Sequence, residues 1–110
     1  MVRLAIMSDL HVEKGEWIPP DLPCDLLIMA GDIGWGLDGM AWIARHLAGR
    51  RMVMVAGNRE YWNHPPGTSP IAGLRRAAAD IPGLLFLQDE AAVLDLNGVR
   101  LRLLGATLWT

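Results

Sequence analysis

A chain of 110 residues with 52% hydrophobic and 20% charged residues is long enough for one folded domain and too apolar for an intrinsically disordered protein. Its net charge of -2 and pI near 5.8 predict no strong nucleic-acid footprint, because nucleic-acid-binding surfaces are basic. No apolar stretch approaches the roughly 18 residues that a membrane-spanning helix needs, so we expect no membrane partner. The single cysteine, Cys24, excludes an internal disulfide framework and favours a cytoplasmic location.

Three apolar runs with strand character lie in the first half of the chain. Residues 2–8 form the first predicted strand, residues 25–30 the second and residues 51–56 the third. Such continuous apolar runs indicate strands that are covered on both faces, as in a parallel α/β sheet. A helix is predicted over residues 37–47, because apolar residues recur there at spacings of three and four.

The second half of the chain predicts one more helix, one more strand and a hairpin. The helix covers residues 71–80, and a short strand follows over residues 84–87. Two further strands, over residues 91–96 and 99–104, flank the dipeptide Asn97-Gly98. That dipeptide favours a type I′ turn, because both central residues of such a turn need a positive φ. The predicted fold is therefore α/β, with β-α-β alternation followed by a β-hairpin.

The chemistry of the sequence is concentrated just past the first three predicted strands. Asp9-Leu10-His11 follows the first strand, Gly31-Asp32 the second and Gly57-Asn58 the third. Ligands of open α/β sheets bind in the crevice beyond the carboxyl ends of the strands, so these motifs should converge there. Carboxylate, imidazole and amide groups together suit Mn, Fe or Zn. The candidate metal ligands are Asp9, His11, Asp32 and Asn58.

In this order the three motifs resemble the calcineurin-like metallophosphoesterase superfamily. The family pattern is Asp-x-His, then Gly-Asp, then Gly-Asn-His-Asp/Glu, each at a strand end. The segment 105–109 also resembles one that follows a hairpin in a bacterial branch of that family. The resemblance implies a dinuclear centre in which Asp9 and His11 hold the first metal. Asp32 would bridge the two metals, and Asn58 would hold the second.

The resemblance also implies an activity. The family hydrolyses phosphate esters, monoesters or diesters, with a metal-activated hydroxide, so a phosphate ester is the expected substrate. The expected cofactors are one or two divalent ions, Mn, Fe or Zn. Two metals about 3.5–4 Å apart clamp the attacking and leaving oxygens of a phosphoryl displacement. Residues 1–110 would form the first half of the family's α/β sandwich, which predicts a calcineurin-like phosphoesterase domain that is incomplete at its carboxyl end.

Two features depart from the family pattern. Arg59 stands where the family has a histidine that acts on the leaving group or the phosphate. Arginine stays protonated near neutral pH and cannot exchange a proton there, but its planar fork binds phosphate, so a phosphate contact is the role predicted for Arg59. The second departure is that no histidine follows His64, so the family's distal metal-binding histidines are missing from this sequence.

These departures leave two alternatives to an enzyme open. The chain is then a non-catalytic scaffold that keeps the fold, or a truncated fragment that lacks a complete dinuclear site. A truncated sheet would expose apolar side chains and favour self-association through that apolar edge. The side chains predicted to lie there are Leu101, Leu103, Leu104, Leu108 and Trp109.

Overall fold

The computed structural model of the protein describes residues 1–109. In chain order its elements are β1 (Leu4–Met7), a 3-10 turn (Val12–Lys14), β2 (Leu26–Met29), α1 (Asp38–His46), β3 (Met52–Met54), a second 3-10 turn (Arg59–Tyr61), α2 (Ile71–Ala79), β4 (Leu84–Phe86), β5 (Glu90–Leu96) and β6 (Val99–Gly105). Strands β1 to β4 form a parallel sheet in that order, and β5 and β6 form an antiparallel hairpin. The predicted α/β fold, with β-α-β alternation followed by a hairpin, is confirmed. Within residues 1–109, no helix combines the length and the apolar character that crossing a membrane requires.

The central strands β2 and β3 are covered on both faces, as their continuous apolar runs predict. The same prediction is wrong for β1, an edge strand of this sheet whose Leu4 and Ile6 are 46% and 67% exposed. Because alternate residues of a strand point to opposite faces, β2 and β3 contribute to two separate cores. Met29 and Met54 pack on the helical face with buried residues of α1 and α2. Leu26 and Val53 pack on the other face, together with Leu96 of the hairpin. The layers are therefore helices, parallel sheet and hairpin, in that order.

The hairpin turn has the backbone that its sequence predicts. Asn97 has a φ of 50° and Gly98 a φ of 79°, so both central residues are left-handed. The Asn97 side-chain amide donates to Asp25 Oδ1 at 3.0 Å, and the Arg3 backbone N–H donates to Asp25 Oδ2 at 2.7 Å. Asp25 therefore ties the start of the parallel sheet to the tip of the hairpin.

Several large apolar side chains stay exposed at the end of β6 and after it. Leu104 is 77% exposed, Leu108 88% and Trp109 61%. Leu101 and Leu103 are instead partly buried against the core between the sheet and the hairpin. Only part of the predicted apolar edge is thus open to solvent, and self-association through it stays a prediction.

Candidate metal centre

The carboxyl ends of the first three strands lie side by side. Met7 of β1 is the register partner of Met29 in β2, and Met29 is the partner of Met54 in β3. The segments that follow these strands therefore leave the sheet at one edge. This register is the reason that motifs more than twenty residues apart in sequence can meet in space.

Backbone hydrogen bonds join the segment after β1 to the segment after β2. The Asp9 N–H donates to the Gly31 carbonyl at 3.1 Å, and the His11 N–H donates to the Asp32 carbonyl at 3.2 Å. One ligand atom each from Asp9, His11 and Asp32 lies within 4.8 Å of the other two. Metal bonds to nitrogen and oxygen are about 2.0–2.2 Å long, so opposite ligands of one ion lie about 4 Å apart. The three side chains could therefore hold a single cation once their ligand atoms close to within about 4.4 Å of one another.

These three residues also share a rare backbone conformation. The φ angles of Asp9, His11 and Asp32 are 56°, 49° and 56°, in the left-handed region that residues other than glycine seldom adopt. Such conformations cost on the order of 1–3 kcal/mol each and are concentrated at functional sites. The fold thus brings three left-handed residues with candidate metal ligands close together, while Asn63, Asp89 and Asn97 adopt the same conformation in turns elsewhere.

Two glycines let the segments after β2 and β3 approach each other closely. A Cβ atom on Gly31 would lie 2.7 Å from the backbone nitrogen of Gly57. A Cβ atom on Gly57 would lie 2.2 Å from Asp32 Oδ1, which is far inside van der Waals contact. Gly57 therefore leaves the space that the Asp32 carboxylate occupies, which a residue with a Cβ atom would fill.

Asn58, the fourth predicted ligand, lies against the carboxylate of Asp32. One terminal atom of its amide is 3.0 Å from Asp32 Oδ2 and 3.1 Å from Oδ1. When that atom is the amide nitrogen, it donates to both carboxylate oxygens. When it is the amide oxygen, three oxygens face one another without a proton, and a cation between them offsets the repulsion. Asn58 is thus placed to exchange a hydrogen bond for a metal bond by rotating its amide.

Glu60 is a residue of the site to which the sequence assigned no role. It is fully buried, and its Oε1 accepts the N–H groups of Asp32 at 2.8 Å and Gly57 at 2.7 Å. Its Oε2 accepts the N–H groups of Ile33 at 2.9 Å and Gly34 at 3.1 Å. Glu60 therefore fastens the segment after β2 to the segment after β3. The one signal that could have identified it is its place at the acidic position of the third motif.

The environment of Glu60 has opposing effects on its acidity. Burial raises the pKa of the Glu60 carboxyl above its ordinary value, and the neighbouring charge of Asp32 acts in the same direction. The N–H bonds from Gly34, Gly57 and Asp32 act against this rise, because they favour the ionised form. Desolvation of the Glu60 carboxyl group thus opposes folding, and the four hydrogen bonds that join the two segments offset this cost.

The Arg59 guanidinium packs on an aromatic ring. Its guanidinium carbon lies 3.9 Å from the ring centroid of Trp62, in a cation–π contact, and Trp62 in turn contacts Trp35. The part of Arg59 that meets the site is its backbone N–H, which donates to Asp32 Oδ1 at 3.0 Å. The phosphate contact stays a prediction, and it requires the guanidinium to leave the ring of Trp62.

A cavity of about 390 Å³ opens at Asp9, Asp32 and Asn58, within the range of sites for small molecules, whereas His11 is not among its lining residues. Its lining within the described residues consists of Asp9, Ala30, Asp32, Gly57, Asn58, Leu108 and Trp109. Trp109 packs edge to face on Tyr61 with ring centroids 5.1 Å apart, and the Thr107 hydroxyl donates to the Ala56 carbonyl at 2.6 Å. The segment after β6 therefore returns to the edge of the sheet at which Asp9 and Asp32 lie. Cavities of about 470 and 510 Å³ lie elsewhere, and neither contains a predicted ligand.

Comparisons of the chain with protein-family models, with curated proteins and with solved structures found no match. The metallophosphoesterase resemblance therefore stays a prediction that rests on the three strand-end motifs.

Proposed function

We propose that this chain binds a divalent metal ion at the ends of β1, β2 and β3 and hydrolyses phosphate esters there. The observation that carries the proposal is the convergence of Asp9, His11 and Asp32, whose ligand atoms lie within 4.8 Å of one another. Two carboxylates and an imidazole suit Mn, Fe or Zn. When bound, such an ion supplies a Lewis acid for a phosphoryl oxygen and lowers the pKa of a coordinated water.

The charges around the cavity favour binding of a cation first and of an anionic substrate second. Asp9 and Asp32 line the cavity, and the Asp9 side chain is 65% exposed to solvent there. The positive charge of Arg59 lies over the ring of Trp62, outside the cavity lining. A phosphate would therefore meet two carboxylates without compensation unless a metal ion were bound first. We expect ordered binding, with the metal ion preceding the substrate.

The donors for a second metal are fewer than those for the first. Asp32 and Asn58 are the candidate ligands on that side, with one terminal amide atom of Asn58 3.0 and 3.1 Å from the two carboxylate oxygens of Asp32. The Asp32 carboxylate would be shared with the first metal. Two donors from the chain make a weak site, so we propose one metal of higher affinity and a second that binds more weakly.

A second candidate function, a metal-binding scaffold without turnover, is favoured by the contents of the cavity. Within residues 1–109, its lining contains no histidine, lysine or tyrosine that could protonate a leaving group. Arg59 cannot do so near neutral pH, because a guanidinium does not release its proton. General acid–base catalysis is typically worth about 10²–10⁴-fold in rate. Without it, hydrolysis would be slowed by about that factor, and a chain that binds metal could show no measurable turnover.

The test uses the full chain and two substitutions of one kind. Metal content and affinity are measured for Mn, Fe and Zn, and turnover is measured on p-nitrophenyl phosphate and bis(p-nitrophenyl) phosphate with and without Mn²⁺. Asp32→Ala should lose metal and turnover together. Asp95→Ala, on the exposed face of the hairpin, should keep both. Metal binding without turnover would establish the scaffold, and a folded chain that binds no metal would refute both functions.

A further inference from the structure

We infer that Glu13 is a positioning residue that fixes the ring of His11 for metal binding. This inference rests on the proposed function, since it concerns the same metal centre. Glu13 lies in the 3-10 turn that follows the first motif. Its Oε1 is 3.2 Å from His11 Nδ1, and the other ring nitrogen, Nε2, lies 3.9 Å from Asp9 Oδ1.

The two ring nitrogens of His11 thus face two different carboxylates. The Glu13 side chain is 7% exposed and faces Nδ1 from the interior. The Asp9 side chain is 65% exposed and lies toward the cavity, next to Nε2. With the ring proton on Nδ1 and donated to Glu13, the lone pair of Nε2 is directed to the side where the candidate ligands meet. Metal-binding histidines commonly donate their second ring nitrogen to a carboxylate in this manner, which sets the tautomer and raises ligand basicity.

The backbone already restrains His11, so the ring orientation is the freedom that Glu13 removes. The His11 φ of 49° and its N–H bond to the Asp32 carbonyl fix the position of its Cα and Cβ atoms. Rotation about the side-chain torsions remains, and it would turn Nε2 away from Asp9 Oδ1. A hydrogen bond from Nδ1 to a nearly buried carboxylate selects the rotamer that presents Nε2.

Glu13 contributes little to the fold by itself. Its Oε2 is buried and has no hydrogen-bond partner within residues 1–109. Burial of a carboxylate oxygen without a partner costs free energy, whereas the fully buried Glu60 is stabilised by hydrogen bonds from backbone N–H groups to both oxygens. The two glutamates therefore differ in role: Glu60 holds the two segments together, and Glu13 orients a ligand.

The experiment measures metal affinity, stability and tautomer in the same variants. Mn²⁺ alone is titrated into the metal-free full chain, urea unfolding is followed in a chelator, and the ¹⁵N shifts of the His11 ring report its tautomer. Glu13→Ala should weaken Mn²⁺ binding by about 10–100-fold and move the ring proton from Nδ1 toward Nε2, without lowering the stability of the metal-free chain. Glu13→Gln keeps a carbonyl acceptor, so it should keep the tautomer and lose less affinity.

The matched control is Glu16→Ala. Glu16 also bonds a histidine, at 2.9 Å from His46 Nε2, but this pair joins the loop after the first 3-10 turn to the end of α1 and includes none of the candidate ligands. It should leave Mn²⁺ affinity and the His11 shifts unchanged. If Glu13→Ala binds Mn²⁺ as the wild type does, the positioning role is wrong while the proposed function stands. If the wild type binds no Mn²⁺, the proposed function fails and the positioning role fails with it. If Glu13→Ala unfolds, Glu13→Met takes its place, because it fills similar space without an acceptor, and wild-type affinity in folded Glu13→Met would overturn the inference.

Discussion

Replacing Glu60 by alanine tests whether one buried carboxylate holds the metal-binding segments in place. The substitution removes the acceptor of the backbone N–H groups of Asp32, Ile33, Gly34 and Gly57. Each buried donor left without a partner costs on the order of 1 kcal/mol, so the loss amounts to about 4 kcal/mol. Release of the buried carboxylate offsets part of this, as the raised pKa of Glu60 indicates.

We therefore expect Glu60→Ala to lower the free energy of unfolding by about 3 kcal/mol, out of a total of about 5–15 kcal/mol for a domain. Urea unfolding of the metal-free chain at pH 7, followed by tryptophan fluorescence, gives this value. Glu60→Gln should lose about half as much, because one oxygen still accepts two N–H groups while the new amide nitrogen faces the other two.

Glu90→Ala is the control of the same residue type. Glu90 is exposed and bonds Arg75 at 2.5 Å and the Gln88 N–H at 3.1 Å, so its loss should cost less than about 1 kcal/mol. Equal destabilisation by Glu60→Ala and Glu90→Ala would refute the reasoning, since it would mean that the buried bonds contribute no more than a surface ion pair.

Two further substitutions probe the packing of the site and the pH dependence of the fold. Gly57→Ala should displace Asp32, reduce Mn²⁺ affinity and destabilise the chain by about 1–3 kcal/mol, because the new Cβ atom would overlap the Asp32 carboxylate. Its control is Gly73→Ala in α2, where a Cβ atom has space, and this substitution should stabilise the chain by about 0.5–1 kcal/mol. The bonds from the Arg3 N–H and the Asn97 amide hold the pKa of Asp25 below its ordinary value of 3.8. Their stabilisation is present above that value and lost as the pH falls through the folded pKa, so the stability difference between wild type and Asp25→Asn should shrink on acidification. A difference that does not change from pH 6 to pH 2 would contradict this linkage.

Most of the fold could be predicted from the sequence, because hydrophobic periodicity and turn residues mark the helices and strands locally. The predicted helix over residues 37–47 is Asp38–His46 in the structure, and the one over residues 71–80 is Ile71–Ala79. The strand over residues 84–87 is Leu84–Phe86. Apolar periodicity and turn chemistry act over a few residues, so they can be seen without knowledge of distant neighbours. The 3-10 turns after the first and third motifs were not predicted, because no periodicity marks elements of three residues.

The candidate site was likewise predicted only in part. The strand-end rule for parallel sheets, applied to the sequence, brought Asp9, His11 and Asp32 to one edge, and the structure places their ligand atoms close together. The direction of the Arg59 side chain could not be predicted, because it depends on the ring of Trp62, which a turn of the chain brings beneath it.

The sequence by itself determined the order of the helices and strands, because these elements form through contacts within short segments. It also showed which polar residues follow the strands. What only the tertiary structure decided is how those residues are held. Glu60 binds backbone groups 26 to 28 residues away, and Trp109 reaches the cavity from the end of the described chain. These contacts depend on the register of the sheet and on the layer formed by the hairpin, and both are set by packing between segments that lie far apart in sequence.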